Sequence, residues 1–250
     1  MSNSLRVAIA GLGTVGAGTV QVLTEHRALI AQRGGRNVDI VAVSAKNRSK
    51  DRGVSLDGYE WYDDPVAMAR EADVDLVLEL IGGEDGPAKA VCEAAIAAGR
   101  HVVTANKALL AMHGNALATA AEAAGVSLNY EAAIAGGIPI VKALREGLAG
   151  NRVTRVYGIL NGTCNYILTE MREERLSYET VLADAQKLGY AEAEPSVDVD
   201  GIDAAHKLAL LASLAFGTKV NFEGVYTEGI RKVALEDIDY AEEFGYRIKL

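Results

Sequence analysis

Cysteine, proline and aromatic residues are all scarce in this chain, whose 250 residues include 2 cysteines, 4 prolines, 3 phenylalanines and 1 tryptophan. Cys92 and Cys164 stand far apart, with no CxxC and no histidine-rich spacing. Neither a disulfide framework nor a zinc site is expected, and a reducing, cytoplasmic setting fits. No apolar run approaches the roughly 20 residues that span a bilayer, so no membrane partner is expected. Met1 to Arg6 is a short polar lead without the apolar stretch of a signal peptide. Positive charge is in deficit as well: Lys+Arg 25 against Asp+Glu 34 leave a formal net charge of -9. That excludes a global phosphate-tracking surface, and with it nucleic acid as the expected partner. What is present is 50% hydrophobic and 24% charged residues with Gly 26, the profile of a soluble globular protein with a sizeable core rather than of a disordered or collagenous chain.

Hydrophobic periodicity organises the first half. Leu5 to Ala10 is a short β-branched run ending at glycines, as a buried parallel strand does. Helical spacing follows from Val15 to Ile30 and stops at Gly34-Gly35, and Val38 to Val43 is a second strand. Gly53 to Tyr62 is mixed and polar, and Pro65 opens a short helix ending near Ala72. Strands at Asp75 to Ile81, His101 to Thr104 and Val126 to Tyr130 then alternate with helices at Pro87 to Ala98 and Lys107 to Ala124, the latter expected to break near His113-Gly114. Such alternation predicts an α/β fold with a doubly wound parallel sheet. Beyond Gly136-Gly137 it is lost. Pro139 to Gly147 has helical spacing and Val153 to Ile159 strand spacing, and three helices are expected at Cys164 to Glu174, Tyr178 to Leu188 and Gly201 to Phe216. Two domains follow, residues 1–133 with the parallel sheet and residues 134–250 with an α+β pattern.

Gly11-Leu12-Gly13-Thr14-Val15-Gly16 is a G-x-G-x-x-G run between a strand and a helix. The first glycine permits the turn, the second lets backbone approach a pyrophosphate, and the third allows close helix packing, while the helix N-terminus offers N–H groups to phosphate. A Rossmann-type dinucleotide site is therefore expected. At the end of the second strand, where an acidic residue would hold the ribose 2′-hydroxyl of NAD, stands Ser44. Lys46, Arg48 and the cations after them suit a 2′-phosphate or form a solvated loop, so NADP(H) is favoured without excluding NAD(H).

Two further regions carry charge in chemically suggestive places. Lys107, just after the fourth strand, stands at the carboxyl edge where doubly wound sheets bind ligands. The segment from Gly189 to Lys207 holds Glu192, Glu194, Asp198, Asp200 and Asp203. With Asp200 as N-cap, Asp203 and Lys207 share one helix face. They form either an ordinary i,i+4 pair on a solvated helix or a site in which Glu192 and Asp203 grip a polar substrate while Lys207 moves a proton. Nearby carboxylates favour the charged lysine and desolvation opposes it. EF-hand spacing is absent.

The combination resembles the homoserine dehydrogenase family over nearly the whole chain. The resemblance rests on the glycine run, on Ala105-Asn106-Lys107-Ala108-Leu109-Leu110, on Tyr130-Glu131-Ala132-Ala133 with Gly136-Gly137-Ile138-Pro139, on Gly158 to Tyr166, and on Gly189-Tyr190-Ala191-Glu192 running on to Gly201 to Lys207. It implies interconversion of L-aspartate 4-semialdehyde and L-homoserine, with Lys207 as proton donor or acceptor and Lys107 as a second active-site lysine. It further implies substrate contacts from Glu192, Asp203, Asp198, Asn161 and Thr163. Cofactor contacts would come from Gly11, Leu12, Gly13, Thr14, Val15, Gly16, Ser44, Lys46, Arg48, Gly82, Asn106, Lys107 and Gly189. A monovalent cation, typically sodium, would be held by backbone carbonyls of Glu131, Ile134, Gly136 and Ile138. The family also implies a homodimer formed through the substrate-domain sheet. Members of the family continue past the point matching Leu250, and Tyr246 to Leu250 reads as a strand cut off mid-run, so a partial chain is expected. Two other readings stand beside this one: a different two-domain oxidoreductase, which would not need the Glu192 to Lys207 segment, and a cofactor-binding sensor without turnover.

Overall fold

A computed structural model describes residues 4–250, so Met1 to Asn3 of the expected polar lead lie outside the described residues. Contacts divide the chain into Met1–Ala149 and Gly150–Leu250, whereas the pattern along the sequence changes at 133/134.

The first unit is built on six strands: β1 (Leu5–Ala10), β2 (Val38–Ser44), β3 (Glu60–Tyr62), β4 (Leu76–Glu79), β5 (His101–Thr104) and β6 (Leu128–Asn129). All pairs are parallel, in the order β3-β2-β1-β4-β5-β6. The order reverses between β1 and β4, the topological switch point of a doubly wound sheet. Helices α1 (Thr14–Glu25), α2 (Arg27–Gly34), α3 (Pro65–Glu71), α4 (Pro87–Ala97) and α5 (Lys107–Ala124) make the crossovers. Small side chains let helices pack closely on the sheet: Ala8, Ala10, Ala42, Val77, Ala88, Val91, Ala95 and Val102 share one core. Ile9, Leu12, Val20 and Val43 form another.

At the carboxyl edge the register aligns Ser44 with Ala10, Ala10 with Glu79, and Glu79 with Thr104. This row is buried throughout. After β6 come α6 (Ile140–Lys142) and a π-helical turn, Ala143–Gly147.

Several local expectations change. The single helix anticipated from Val15 to Ile30 is two, interrupted at His26 (φ -102, ψ 16). Helix α5 does not break near His113-Gly114; Gly114 is buried inside 18 continuous helical residues, where packing outweighs a glycine penalty of about 1 kcal/mol. Strand β3 was hidden in the mixed, polar stretch because it is a three-residue strand at the sheet edge, paired with β2.

The second unit contains α7 (Gly162–Glu174), α8 (Tyr178–Lys187), α9 (Ser196–Val199), α10 (Ile202–Phe216) and α11 (Leu235–Glu243). Cys164, Ile167, Leu168, Met171, Val181, Ala185, Val199, Ile230 and Ile238 fill its core. Val153 to Ile159 and Tyr246 to Leu250 are not strands here. Alternation favours an extended backbone, but a strand also requires a hydrogen-bonded partner, and none is paired with either segment among the described residues. No described helix is long and apolar enough to cross a membrane.

Candidate active site

The glycine run adopts the form its spacing predicts. Gly11 has φ +99, and a Cβ there would lie 2.5 Å from the Leu80 carbonyl oxygen. A Cβ on Gly16 would lie 2.0 Å from the Gly11 oxygen. Both glycines are therefore required by the fold itself. Gly13 differs, because a Cβ there would meet nothing within 4 Å, so protein packing leaves the space beside it open. Gly13 is also the N-cap of α1, with no side-chain cap and no acidic residue in the first turn. The N–H groups of that end lack side-chain acceptors and favour an anion. The residues present thus fit a dinucleotide pyrophosphate. Thr14 and Val15 are exposed at this end, while Leu12 and Gly16 are buried.

The Gly11 N–H donates to the Ser44 carbonyl at 2.9 Å, tying the loop to the end of β2. The Ser44 hydroxyl is enclosed, with no protein partner. Beyond it, Lys46 and Arg48 are exposed. Arg52, which the sequence reading had only as one cation of a run, organises the loop: its Nε donates to the Leu12 carbonyl at 3.1 Å and Nη1 to the Lys50 carbonyl at 2.6 Å, while Nη2 donates to the Asn47 carbonyl. Arg48 and Arg52 both lie 5.7 Å from the Trp61 ring centre, in cation–π range. Arg52 thus joins this loop to the glycine run, while Lys46 and Arg48 stay exposed. Trp61 lay in the stretch read as mixed and polar, and nothing local in that stretch marked it.

Gly82 (φ +86) and Asn106 belong to the two loops beyond β4 and β5. Asn106 caps α5, its Oδ1 accepting from Leu109 N at 3.1 Å, while its Nδ2 donates to the Gly83 carbonyl at 2.6 Å. Lys107 is the first residue of α5. A cation at a helix N-terminus opposes the macrodipole, which makes it a costly place for a purely structural lysine.

The carboxylate of Glu131 caps α6, accepting from Val141 N at 2.8 Å and Lys142 N at 3.0 Å. Its carbonyl accepts from Ile134 N and Ala135 N, and that of Ile138 from Ile140 N at 2.8 Å. Gly136 and Ile138 are exposed and Ile134 is buried. Among the described residues no cluster of metal-ligating side chains occurs. Any cation here would rely on carbonyls, of which those of Glu131 and Ile138 already serve backbone hydrogen bonds.

In the second unit Asn161, Asp198, Asp203 and Lys207 come together. Lys207 Nζ donates to Asp203 Oδ2 at 2.7 Å and to the Leu160 carbonyl at 2.8 Å. The side chains of Lys207 and Asp203 are 19% and 6% exposed, so this is not the ordinary pair on a solvated helix. Asn161 Nδ2 donates to Asp198 Oδ1 at 2.7 Å and to Asp203 Oδ2 at 2.9 Å, while its Oδ1 accepts from Cys164 N at 2.8 Å and caps α7. An amide spent entirely on protein groups orients the two carboxylates. Thr163 donates to the Tyr190 carbonyl at 3.0 Å. Glu192 is exposed, with its own carbonyl held by Gln186 at 2.9 Å, and Gly189 (φ +77) ends the turn after α8.

Asp200 is not the N-cap of α10. Gly201, in a left-handed conformation (φ 82), takes that place; a Cβ there would lie 3.0 Å from the Glu228 carbonyl oxygen, so the position suits glycine. Asp200 pairs with Arg231 instead. A cavity of about 350 Å³ borders Leu160, Gly201, Ala204, Leu208 and Tyr226; it uses a different stripe of α10 from the one bearing Asp203 and Lys207.

Burial, followed by the nearby Asp198, pushes the Cys164 thiol up to about 12, and burial raises Cys92 further. A raised thiol pKa favours the neutral form in the fold. That contribution is complete below the ordinary thiol pKa of about 8.5 and is lost as pH rises above it. Neither thiol is expected to react with an aromatic disulfide reagent at pH 8 until the protein is unfolded. Fast titration of the native chain would contradict this burial.

A glycine cradle at the switch point of a parallel sheet defines the class: a dinucleotide-binding α/β protein with a second, helix-rich unit. Residues 11–131 match the family described as "Homoserine dehydrogenase, NAD binding domain" and residues 139–250 that described as "Homoserine dehydrogenase". The Pseudomonas aeruginosa homoserine dehydrogenase is 49% identical over 98% of this chain and 56% of its own length. A homoserine dehydrogenase structure from Thiobacillus denitrificans superposes with TM-score 0.95 at 48% identity, covering 100% of this chain and 57% of that one. A structure from Archaeoglobus fulgidus named for the same activity does so with TM-score 0.85 at 37% identity, covering 98% of this chain and 79% of that one. The chain belongs to the homoserine dehydrogenase family. It spans just over half the length of the curated relatives it matches.

Proposed function

We propose that this chain carries the nucleotide and substrate machinery of a homoserine dehydrogenase, in which L-homoserine is oxidised reversibly to L-aspartate 4-semialdehyde with NADP(H) or NAD(H). The observation that carries this reading is the part-buried Lys207–Asp203 pair, oriented by Asn161, on a chain that also holds the glycine cradle. When bound, the nicotinamide supplies the hydride acceptor or donor.

An ammonium has three N–H donors, and Lys207 uses two on Asp203 and the Leu160 carbonyl. The third is left for the substrate oxygen. In the reducing direction Lys207 gives its proton to the oxygen that becomes the hydroxyl of homoserine; in the oxidising direction a neutral Lys207 takes that proton back. Asp203 holds the lysine and, with Asp198 nearby, the polar end of the amino acid, Glu192 meets the substrate ammonium, and Thr163 and Gly189 shape the surrounding loops. Lys107 serves the same chemistry from the head of α5. Residues 1–133 act as the nucleotide domain and 134–250 as the substrate and dimerisation domain. The carbonyls of Glu131, Ile134, Gly136 and Ile138 are assigned a monovalent cation, whose replacement by a large organic cation should then lower turnover. Two unpaired cysteines accord with a cytoplasmic setting, and the oligomer proposed is a homodimer.

The test is the rise in reduced-nicotinamide absorbance when L-homoserine is added with NADP+ or NAD+ at alkaline pH. Homoserine-dependent reduction supports the proposal; cofactor binding without it points to another substrate or to a sensor. In the same assay, Lys46→Ala with Arg48→Ala is expected to raise the KM for NADP+ by roughly tenfold, the scale of one charge-assisted hydrogen bond, with little effect on that for NAD+. Equal effects on both cofactors would return these cations to a solvent role.

A further inference from the structure

Glu79 is 0% exposed at the end of β4, and nothing in the proton-transfer scheme uses it. A buried carboxylate is costly unless its oxygens are hydrogen-bonded, and here both are. Oε1 accepts from Ile81 N at 2.7 Å and Gly82 N at 3.2 Å. Oε2 accepts from the Thr104 hydroxyl at 2.6 Å. The Thr104 oxygen in turn accepts from Asn106 N at 2.9 Å, and Asn106 Nδ2 donates to the Gly83 carbonyl at 2.6 Å. The chain of bonds closes on itself, joining the loop 81–83 after β4 to the loop 104–107 that starts α5. The residues just before Glu79 are Leu76, Val77 and Leu78, so an apolar side chain would continue the local pattern. It would not hold these loops.

The place of this circuit follows from the strand order. The glycine cradle after β1 takes the pyrophosphate and the end of β2 the adenosine ribose, so the other mononucleotide half, β4-β5-β6, faces the nicotinamide end. We propose that Glu79, through Thr104 and Asn106, is a positioning residue for the nicotinamide half of the dinucleotide, fixing Gly82 and the base of Lys107. This rests on the dinucleotide-binding reading of the first unit and assigns Glu79 no contact with the reacting atoms.

The test compares binding of NADPH with that of 2′-phospho-ADP-ribose, which lacks the nicotinamide. Glu79→Ala and Thr104→Val are each expected to weaken NADPH by about tenfold and the truncated ligand by less than about twofold. Glu79→Gln, which keeps acceptors for Ile81 and Gly82, should fall between them and the parent. If Glu79→Ala does not fold, Thr104→Val makes the comparison with the carboxylate still in place. Equal weakening of both ligands would make Glu79 a general support of the sheet and overturn the proposal, as would unchanged NADPH binding. A parent chain that binds neither ligand would instead remove the dinucleotide reading on which the proposal rests, a result distinct from variants that fail to discriminate.

Discussion

Lys207→Ala is expected to cut turnover roughly a hundred- to ten-thousand-fold, the usual range for a removed general acid or base, while dinucleotide affinity stays close to that of the parent. The lysine stands in the second unit, bonded to Asp203 and Leu160, whereas the cradle for the pyrophosphate is made by Gly11 to Gly16 in the first. Asp203→Asn keeps a side chain of the same shape but replaces a charged acceptor by an amide. It should also reduce turnover, because Lys207 loses its anionic partner. Loss of cofactor binding in Lys207→Ala, with proton transfer intact, would contradict the assigned role.

The second large effect separates two glycines of one motif. In Gly16→Ala the added carbon would lie 2.0 Å from the Gly11 carbonyl oxygen, a backbone atom that a side-chain rotation cannot move. The variant is expected to lose thermal stability or fail to fold. In Gly13→Ala the carbon meets no protein atom within 4 Å, and φ is -75, which alanine adopts readily. This variant should keep the melting temperature of the parent yet lose most of its dinucleotide affinity, because the methyl group occupies the approach to the pyrophosphate. Thermal melts and ligand titrations on both variants check the pair. A Gly13→Ala protein that binds normally would mean that the cofactor does not approach α1 as proposed.

Much of the first unit was legible because its signals are local. A strand, three glycines and a helix follow one another from Leu5 to Glu25, and that order sufficed to place the cradle. The i,i+4 spacing likewise put Asp203 and Lys207 on one face of α10. What escaped depends on distant partners. Glu79 interrupts the apolar run from Leu76 to Ile81 and bonds to Thr104, a residue on another strand; only the sheet register makes them neighbours. The helix break at His26 has no glycine or proline to announce it. Asn161 entered through the family motif, but its use as the orienting amide of Asp198 and Asp203 needed the fold to bring α7, α9 and α10 together. Val153 to Ile159 has strand alternation, yet hydrogen-bond pairing is a property of two segments and cannot be read from one.

The most direct test of the central claim follows the hydride itself. This chain would be incubated with L-aspartate 4-semialdehyde and a reduced cofactor carrying deuterium at both C4 positions of the dihydronicotinamide, and the amino acid recovered for mass spectrometry. The account predicts homoserine carrying one deuterium, on the carbon that bears the hydroxyl. Recovery of unreduced substrate despite bound cofactor, or of homoserine without the label, would contradict it.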